Sequence, residues 1–103
     1  MTRYTIDNLI PQLRRYLSTQ PVLRAWLFGS YSRGEESAHS DVDILLEFDP
    51  HETITLFTMG GMHTALTSIL HRDVDLVEMD TLRPFAIPSV NRDKILIYER
   101  NNP

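Results

Sequence analysis

The chain has 103 residues, of which 42% are hydrophobic, carries a formal net charge of −4 and contains no cysteine. This length predicts a single domain over residues 1–103, with a core that folds without disulfides or a cysteine-bound zinc ion. The acidic balance argues against a surface that wraps long nucleic acid, and no apolar run is long enough to span a bilayer. Because an absence of cysteine suits the reducing cytosol, we expect a cytoplasmic location.

The first quarter of the chain predicts a helix followed by a strand. Apolar side chains recur at helical spacing over residues 5–18, which indicates an amphipathic helix. Val22–Phe28 is apolar at nearly every position, as in a strand that is covered on both faces. Alternation places Val22, Trp26 and Phe28 on one of these faces, and we expect Trp26 and Phe28 to be core residues and not a base-stacking platform.

A second strand is predicted over residues 41–48, after a polar loop. It places Asp41, Asp43 and Leu45 on one face and a row of purely apolar side chains on the other. Aspartate is uncommon in such an apolar strand. One interpretation is a water-exposed sheet edge, where aspartates discourage aggregation; the alternative is a functional site.

The second half of the chain completes an α+β pattern. Helical spacing begins at Thr53 and is interrupted by Gly60 and Gly61, so that this segment is either one helix with a weak middle or two shorter pieces. Strands are predicted at residues 74–79 and 95–98. The order of elements predicts a mixed sheet of about four strands with helices packed on it.

A glycine and a serine follow the first strand, at a point suited to binding phosphate. Gly29 would let an anionic ligand approach the backbone, while Ser30 offers a hydroxyl at the start of a predicted helical turn over residues 30–34. Ten residues separate Ser30 from Asp41. A plain turn between a strand and a helix is the alternative, but the combination with Asp41 and Asp43 favours a nucleotide site.

Residues 28–35 and 40–46 resemble the signature of the polymerase-β-like nucleotidyltransferase superfamily. They are most similar to the minimal nucleotidyltransferases, a family that includes antitoxins of toxin-antitoxin pairs. The resemblance extends to residues 74–77, where that family has its third carboxylate, and therefore covers most of the chain. It departs at His71, a position where related chains often have glycine. The resemblance implies the palm-like fold of the superfamily.

The resemblance also implies a metal-dependent reaction at three carboxylates. Asp41, Asp43 and Asp75 are expected to be catalytic and to bind two Mg²⁺ ions, with Asp75 able to take a proton from the acceptor hydroxyl. ATP is the implied substrate, and AMP the implied transferred group, with release of pyrophosphate. A strand carrying Asp75 beside the strand of Asp43 would bring these acids together, because neighbouring strands lie about 4.8 Å apart.

Three further residues are expected to bind the nucleotide. The resemblance implies that Gly29 and Ser30 bind the β- and γ-phosphates of ATP. Arg33 is a candidate phosphate clamp, since its guanidinium group can bind two phosphate oxygens at once. A plain surface ion pair is the alternative role for Arg33.

The size of the chain limits the choice of acceptor, because superfamily members that modify antibiotics, tRNA or DNA resemble larger chains with added acceptor-binding domains. The resemblance implies a HEPN-type ribonuclease toxin as partner, with AMP transferred to a tyrosine hydroxyl of the toxin and a possible hetero-oligomer of the two proteins. Two alternatives remain open at this stage. The chain could be a catalytically silent antitoxin that acts by binding alone, or a small-molecule adenylyltransferase that is active as an oligomer.

Overall fold

Four strands form one mixed sheet in the computed structural model, which describes residues 3–29, 41–81 and 87–100. Their order across the sheet is β3-β2-β1-β4. β1 is antiparallel to both of its neighbours, whereas β2 and β3 are parallel. The strands are β1 (Val22–Phe28), β2 (Val42–Phe48), β3 (Val74–Glu78) and β4 (Ile95–Glu99). All four predicted strands are confirmed, with ends that differ by no more than one residue.

Three helices accompany the sheet in the described residues: α1 (Arg3–Leu17), α2 (Leu56–Leu70) and α3 (Ile87–Asp93). A short 3₁₀ turn, Met79–Thr81, follows β3. The helix predicted at residues 5–18 is confirmed as α1, but α3 was not predicted. Its seven residues make only two turns, too few for a periodic apolar pattern to be recognised. None of the helices among the described residues is both long and apolar enough to cross a membrane.

The main core lies between one face of the sheet and the helices α1 and α2. Each helix contributes apolar side chains at helical spacing, and β2 contributes every second residue, so that the three elements interdigitate. The contributing side chains, all at most 1% exposed, are Ile6, Leu13 and Leu17 from α1, Val42, Ile44 and Leu46 from β2, and Met62, Leu66 and Leu70 from α2. The opposite face of the sheet is therefore not covered by α1 or α2.

A second, smaller apolar cluster lies on that opposite face. Trp26 and Leu45 are its buried members, and Phe28 packs against them. The prediction that Trp26 and Phe28 share a face is confirmed, but the prediction that Val22 joins them is wrong. Val22 packs into the main core, because the pairing of β1 with β2 shifts register between Val22 and Arg24. An irregularity of this kind reverses the face of every side chain beyond it.

Helix α2 is continuous through its two central glycines. The segment is therefore one helix and not two shorter pieces. Its start is held by a capping box in which Thr55 accepts a hydrogen bond from the Thr58 backbone N–H at 3.2 Å. Its end is capped by His71, in the left-handed conformation with φ 52°. The caps and the buried apolar face offset the weak helix propensity of Gly60 and Gly61.

Candidate active site

Asp43 and Asp75 lie side by side on the two parallel strands of the sheet. They are register partners in the pairing of β2 with β3. Since partners on neighbouring strands point to the same face, both carboxylates project away from the main core, from strands about 4.8 Å apart. Asp43 is partly buried and Asp75 is exposed. The structure therefore places Asp75 on the strand next to Asp43, where the sequence predicts it.

Asp41 precedes β2 by one residue and is exposed. Within residues 3–29, 41–81 and 87–100, no three acidic or histidine side chains come close enough together to hold a metal ion. The backbone thus pairs Asp43 with Asp75 and places Asp41 nearby in the chain, but the three carboxylates do not converge on one point. Their convergence around metal ions stays a prediction.

Gly29 brings the turn after β1 against the second of these acids. Its φ is +74°, and a Cβ atom built on it would overlap the Oδ2 atom of Asp43 and lie 3.1 Å from Cγ. Phe28, the residue before it, is the register partner of Asp43. The glycine of the predicted phosphate turn and the acid of the predicted metal site are therefore in direct proximity. Ser30, Arg33 and the helical turn predicted at residues 30–34 lie outside the described residues.

Residues 11–103 match the family described as polymerase beta, nucleotidyltransferase. The chain belongs to this family. The protein adenylyltransferase MntA of Thermococcus cleftensis is 35% identical to it over 71 residues, which are 69% of this chain and 70% of that protein. A Methanocaldococcus jannaschii protein provisionally named a protein adenylyltransferase is 35% identical over 72 residues, or 69% of this chain and 72% of that protein.

Solved structures confirm the predicted nucleotidyltransferase fold. A structure described provisionally as a minimal nucleotidyltransferase is 28% identical and aligns with a TM-score of 0.80, over 92% of this chain and 95% of that one. A toxin-antitoxin complex crystallised with AMP-PNP aligns with a TM-score of 0.67, at 23% identity, over 98% of this chain and 76% of that one. The second likeness shows the shared fold alone.

The carboxylates of this candidate site suit Mg²⁺, a cation that prefers carboxylate oxygens. Within residues 3–29, 41–81 and 87–100, the carboxylates of Asp41 and Asp75 make no hydrogen bond or ion pair. The Asp43 carboxylate already occupies the position that a Cβ atom of residue 29 would take, so that the glycine lets this acid lie directly against the turn. Asp41, Asp43 and Asp75 remain the residues predicted to hold the metal.

The sequence analysis missed a basic residue on the same face of the nucleotidyltransferase sheet. The ammonium group of Lys94, between α3 and β4, lies 4.5 Å from the ring centroid of Trp26. Trp26 belongs to the apolar cluster beside the acids. The one feature of the sequence that distinguishes this residue is its type, because Lys94 is the only lysine in the sequence. Its position over Trp26 depends on tertiary packing, which no local pattern reveals.

An open groove of about 440 Å³ lies beside Asp75, between the edge strand β3 and the first half of α2. Its lining is mainly apolar and consists of Leu56, Met59, Gly60, His63, Val74, Asp75 and Leu76. Leu56 at the start of α2 is 89% exposed. The β3 edge next to Asp75 therefore carries an open, mainly apolar surface on the side of the sheet that α2 covers.

Proposed function

We propose that the chain transfers AMP from ATP to a hydroxyl group of a partner protein. The observation that carries the proposal is the register pairing of Asp43 with Asp75, with the positive-φ Gly29 directly against Asp43. Membership of the nucleotidyltransferase family supports the reaction class. Relatives that are 35% identical to the chain and named protein adenylyltransferases support a protein acceptor.

The nucleotide would be held by the turn after β1. We assign the β- and γ-phosphates to Gly29, Ser30 and Arg33, because a glycine lets the phosphate approach backbone N–H groups and an arginine can bind phosphate at two points. A Cβ atom at position 29 would overlap the carboxylate of Asp43. The turn thus serves both the nucleotide and the acids.

Asp41, Asp43 and Asp75 would hold Mg²⁺. When bound, the metal neutralises triphosphate charge and polarises the attacking oxygen. The exposed position of Asp75 on the edge strand also suits it to accept the proton of an incoming hydroxyl, for which it needs hydrogen-bond reach of that oxygen.

The reaction would be an in-line displacement at the α-phosphorus of ATP. The acceptor oxygen forms a bond to phosphorus, while the bond from the same phosphorus to the bridging oxygen breaks and pyrophosphate leaves with that electron pair. The acceptor proton passes to Asp75. Because an unperturbed tyrosine hydroxyl has a pKa of about 10, a nearby base lowers the barrier to its attack at neutral pH.

The acceptor we propose is a tyrosine hydroxyl of a HEPN-type toxin. Support comes from a solved complex of a tri-AMPylated Shewanella oneidensis HEPN toxin with its MNT antitoxin, which aligns with this chain at a TM-score of 0.64 and 23% identity. The groove beside Asp75 offers room for a segment that carries the tyrosine, and the exposed Leu56 offers an apolar contact.

The test is a labelling reaction with the chain and a purified HEPN-type toxin as the proposed acceptor. With Mg²⁺ and ATP labelled at the α-phosphate, the partner should become labelled; ATP labelled at the γ-phosphate should leave it unlabelled. Asp43→Asn should reduce labelling at least about a hundredfold. Asp73→Asn, the same change at an exposed acid just before β3, should label normally.

Other outcomes of this experiment would overturn the proposal in distinguishable ways. Persistent labelling with Asp43→Asn would remove Asp43 from the mechanism. A partner that is inhibited without becoming labelled would indicate an antitoxin that acts by binding alone. Label that appears only on a small molecule of the reaction mixture would indicate a small-molecule adenylyltransferase.

A further inference from the structure

Lys94 lies at the same end of the sheet as Gly29. β4 is antiparallel to β1, with Ile95 opposite Leu27. The same register, continued by one residue, places Lys94 opposite Phe28, the residue before Gly29. Lys94 therefore borders the turn after β1 from the side opposite the acids.

Lys94 also belongs to the row of residues that contains the acids. Phe28 is the register partner of Asp43, and Asp43 is that of Asp75. The four strands thus place Asp75, Asp43, Phe28 and Lys94 next to one another across the sheet. Two strand spacings, about 10 Å, separate the backbone of Lys94 from that of Asp43.

The side chain of Lys94 lies on the same face as the acids. Its ammonium group is 4.5 Å from the centroid of the Trp26 ring. Trp26 packs with Phe28 and Leu45 in the cluster on this face, and Leu45 follows Asp43 by two residues on β2. One end of the row is therefore acidic and the other end is basic.

This distribution of charge suits a triphosphate that lies across the row, between the acids and Lys94. The acids repel phosphate unless a cation lies between them, whereas a lysine attracts phosphate directly as a compact charge on a flexible stem. Lys94 makes no hydrogen bond or ion pair with another described residue, and its ammonium group contacts the ring of Trp26. A partly exposed contact of this type is weak, so that Lys94 can exchange the ring for a phosphate.

We infer that Lys94 binds the β- and γ-phosphates of ATP, on the far side of Gly29 from Asp43. The inference rests on the proposed function, because it assumes that the nucleotide occupies the turn after β1. Lys94 is then a nucleotide-binding residue that favours ATP over AMP, which lacks these two phosphates. Trp26, the only tryptophan of the sequence, reports the event, because the ammonium group leaves its ring when phosphate binds.

The experiment measures nucleotide binding by calorimetry and by tryptophan fluorescence, with Mg²⁺ and without any acceptor. In Lys94→Met, the Kd for ATP should rise roughly ten- to a hundredfold, the effect of losing a hydrogen bond to a charged group. The Kd for AMP should change less than twofold, and the fluorescence change on ATP binding should be lost. Lys94→Arg should retain most of the affinity for ATP.

The matched control is Arg92→Met, which removes the same charge from a largely exposed side chain, 72% accessible, two residues earlier. It should bind ATP like the wild type. If Lys94→Met also keeps the wild-type ratio of ATP to AMP affinity while its thermal unfolding shows that it is folded, the role of Lys94 is wrong and the proposed function stands. If the wild type binds no ATP with Mg²⁺, the proposed function fails and this inference fails with it.

Discussion

Gly29 and Asp43 are so close that a Cβ atom on the glycine would overlap the Oδ2 atom of the aspartate carboxylate. The glycine also has a φ of +74°, a conformation that side-chain-bearing residues rarely adopt. Two independent constraints, one steric and one conformational, therefore require glycine at this position. The same contact ties the end of β1 to the start of β2, so that the phosphate turn and the acid are positioned together.

Gly29→Ala should damage both stability and activity. The added methyl group must displace the Asp43 carboxylate, and the backbone must hold a strained conformation, so we expect a loss of about 1–3 kcal/mol in the free energy of unfolding. Labelling of the partner should fall at least about a hundredfold. Urea unfolding and the α-phosphate labelling reaction measure the two effects. A variant as stable and active as the wild type would contradict the proposed importance of this contact.

Gly60→Ala and Gly61→Ala should have the opposite effect on stability. Both glycines lie inside α2, and a Cβ atom on either meets no other atom within 4 Å. Because alanine in a helix interior is favoured over glycine by about 0.5–1 kcal/mol, each change should raise the free energy of unfolding by that amount. Urea unfolding of the two variants, compared with Gly29→Ala, separates a general effect of alanine from the specific one. Destabilisation by either variant would contradict the open space around α2.

Much of the fold was accessible from local sequence patterns, because alternation and helical spacing report directly which side chains are buried. β2 is the best example: its predicted core face and acid face are both confirmed. The exchange of faces at Val22 was not accessible, because a register shift depends on how β1 pairs with β2. The seven-residue α3 was too short to give a pattern.

The site shows the same division between local and tertiary information. The spacing from Gly29 to Asp43 is a property of the chain and predicted both as site residues, and the structure brings the two together. The register of Asp75 beside Asp43 followed once their strands were assumed to be neighbours. The position of Lys94 could not be predicted, because only the antiparallel pairing of β4 with β1 brings it into the same row as the acids.

His71→Gly should stabilise the protein. His71 ends α2 in the left-handed conformation, with φ 52°, which disfavours residues other than glycine by about 1–2 kcal/mol. Glycine also increases the entropy of the unfolded chain, so the net gain should be about 0.5–1 kcal/mol. The control is His63→Gly, an exposed position inside the same helix, which should lose a similar amount. Equal effects of the two changes in urea unfolding would contradict the conformational explanation.

Asp49 should make stability depend on acid pH. Its pKa is lowered by the hydrogen bond from the His51 backbone N–H and then by the Arg100 side chain, which donates to it at 2.7 Å. A carboxyl group with a lowered folded-state pKa contributes stability above its unfolded pKa of about 3.9, and this contribution is lost as the pH falls through the folded-state pKa.

Asp49→Asn should therefore be less stable than the wild type at neutral pH, with a difference that shrinks as the pH falls below about 4. Urea unfolding at a series of pH values measures this difference. Glu52→Gln, at an exposed acid of the same loop, serves as the control. A difference between Asp49→Asn and the wild type that is constant with pH would show that the loss is not electrostatic.

Asp75→Asn should raise stability in the absence of metal while it removes the response to metal. Asp43 and Asp75 are direct register partners, and like charges that face each other on neighbouring strands destabilise a sheet. Neutralising Asp75 should therefore raise the unfolding temperature in buffer that contains a chelator. In the wild type, Mg²⁺ together with ATP should raise the unfolding temperature, because a ligand that binds only the folded state stabilises it. This rise should be small or absent in Asp75→Asn.

Asp73→Asn is the matched control for this prediction, since Asp73 is an exposed acid two residues earlier, before β3 begins. It changes the net charge equally but should respond to Mg²⁺ and ATP like the wild type. If both variants become more stable to the same extent, the effect comes from net charge and not from the pair. If Asp75→Asn keeps the full response to Mg²⁺ and ATP, Asp75 does not hold the metal, and the site would then rest on Asp41 and Asp43, whose carboxylates are two residues apart in the chain.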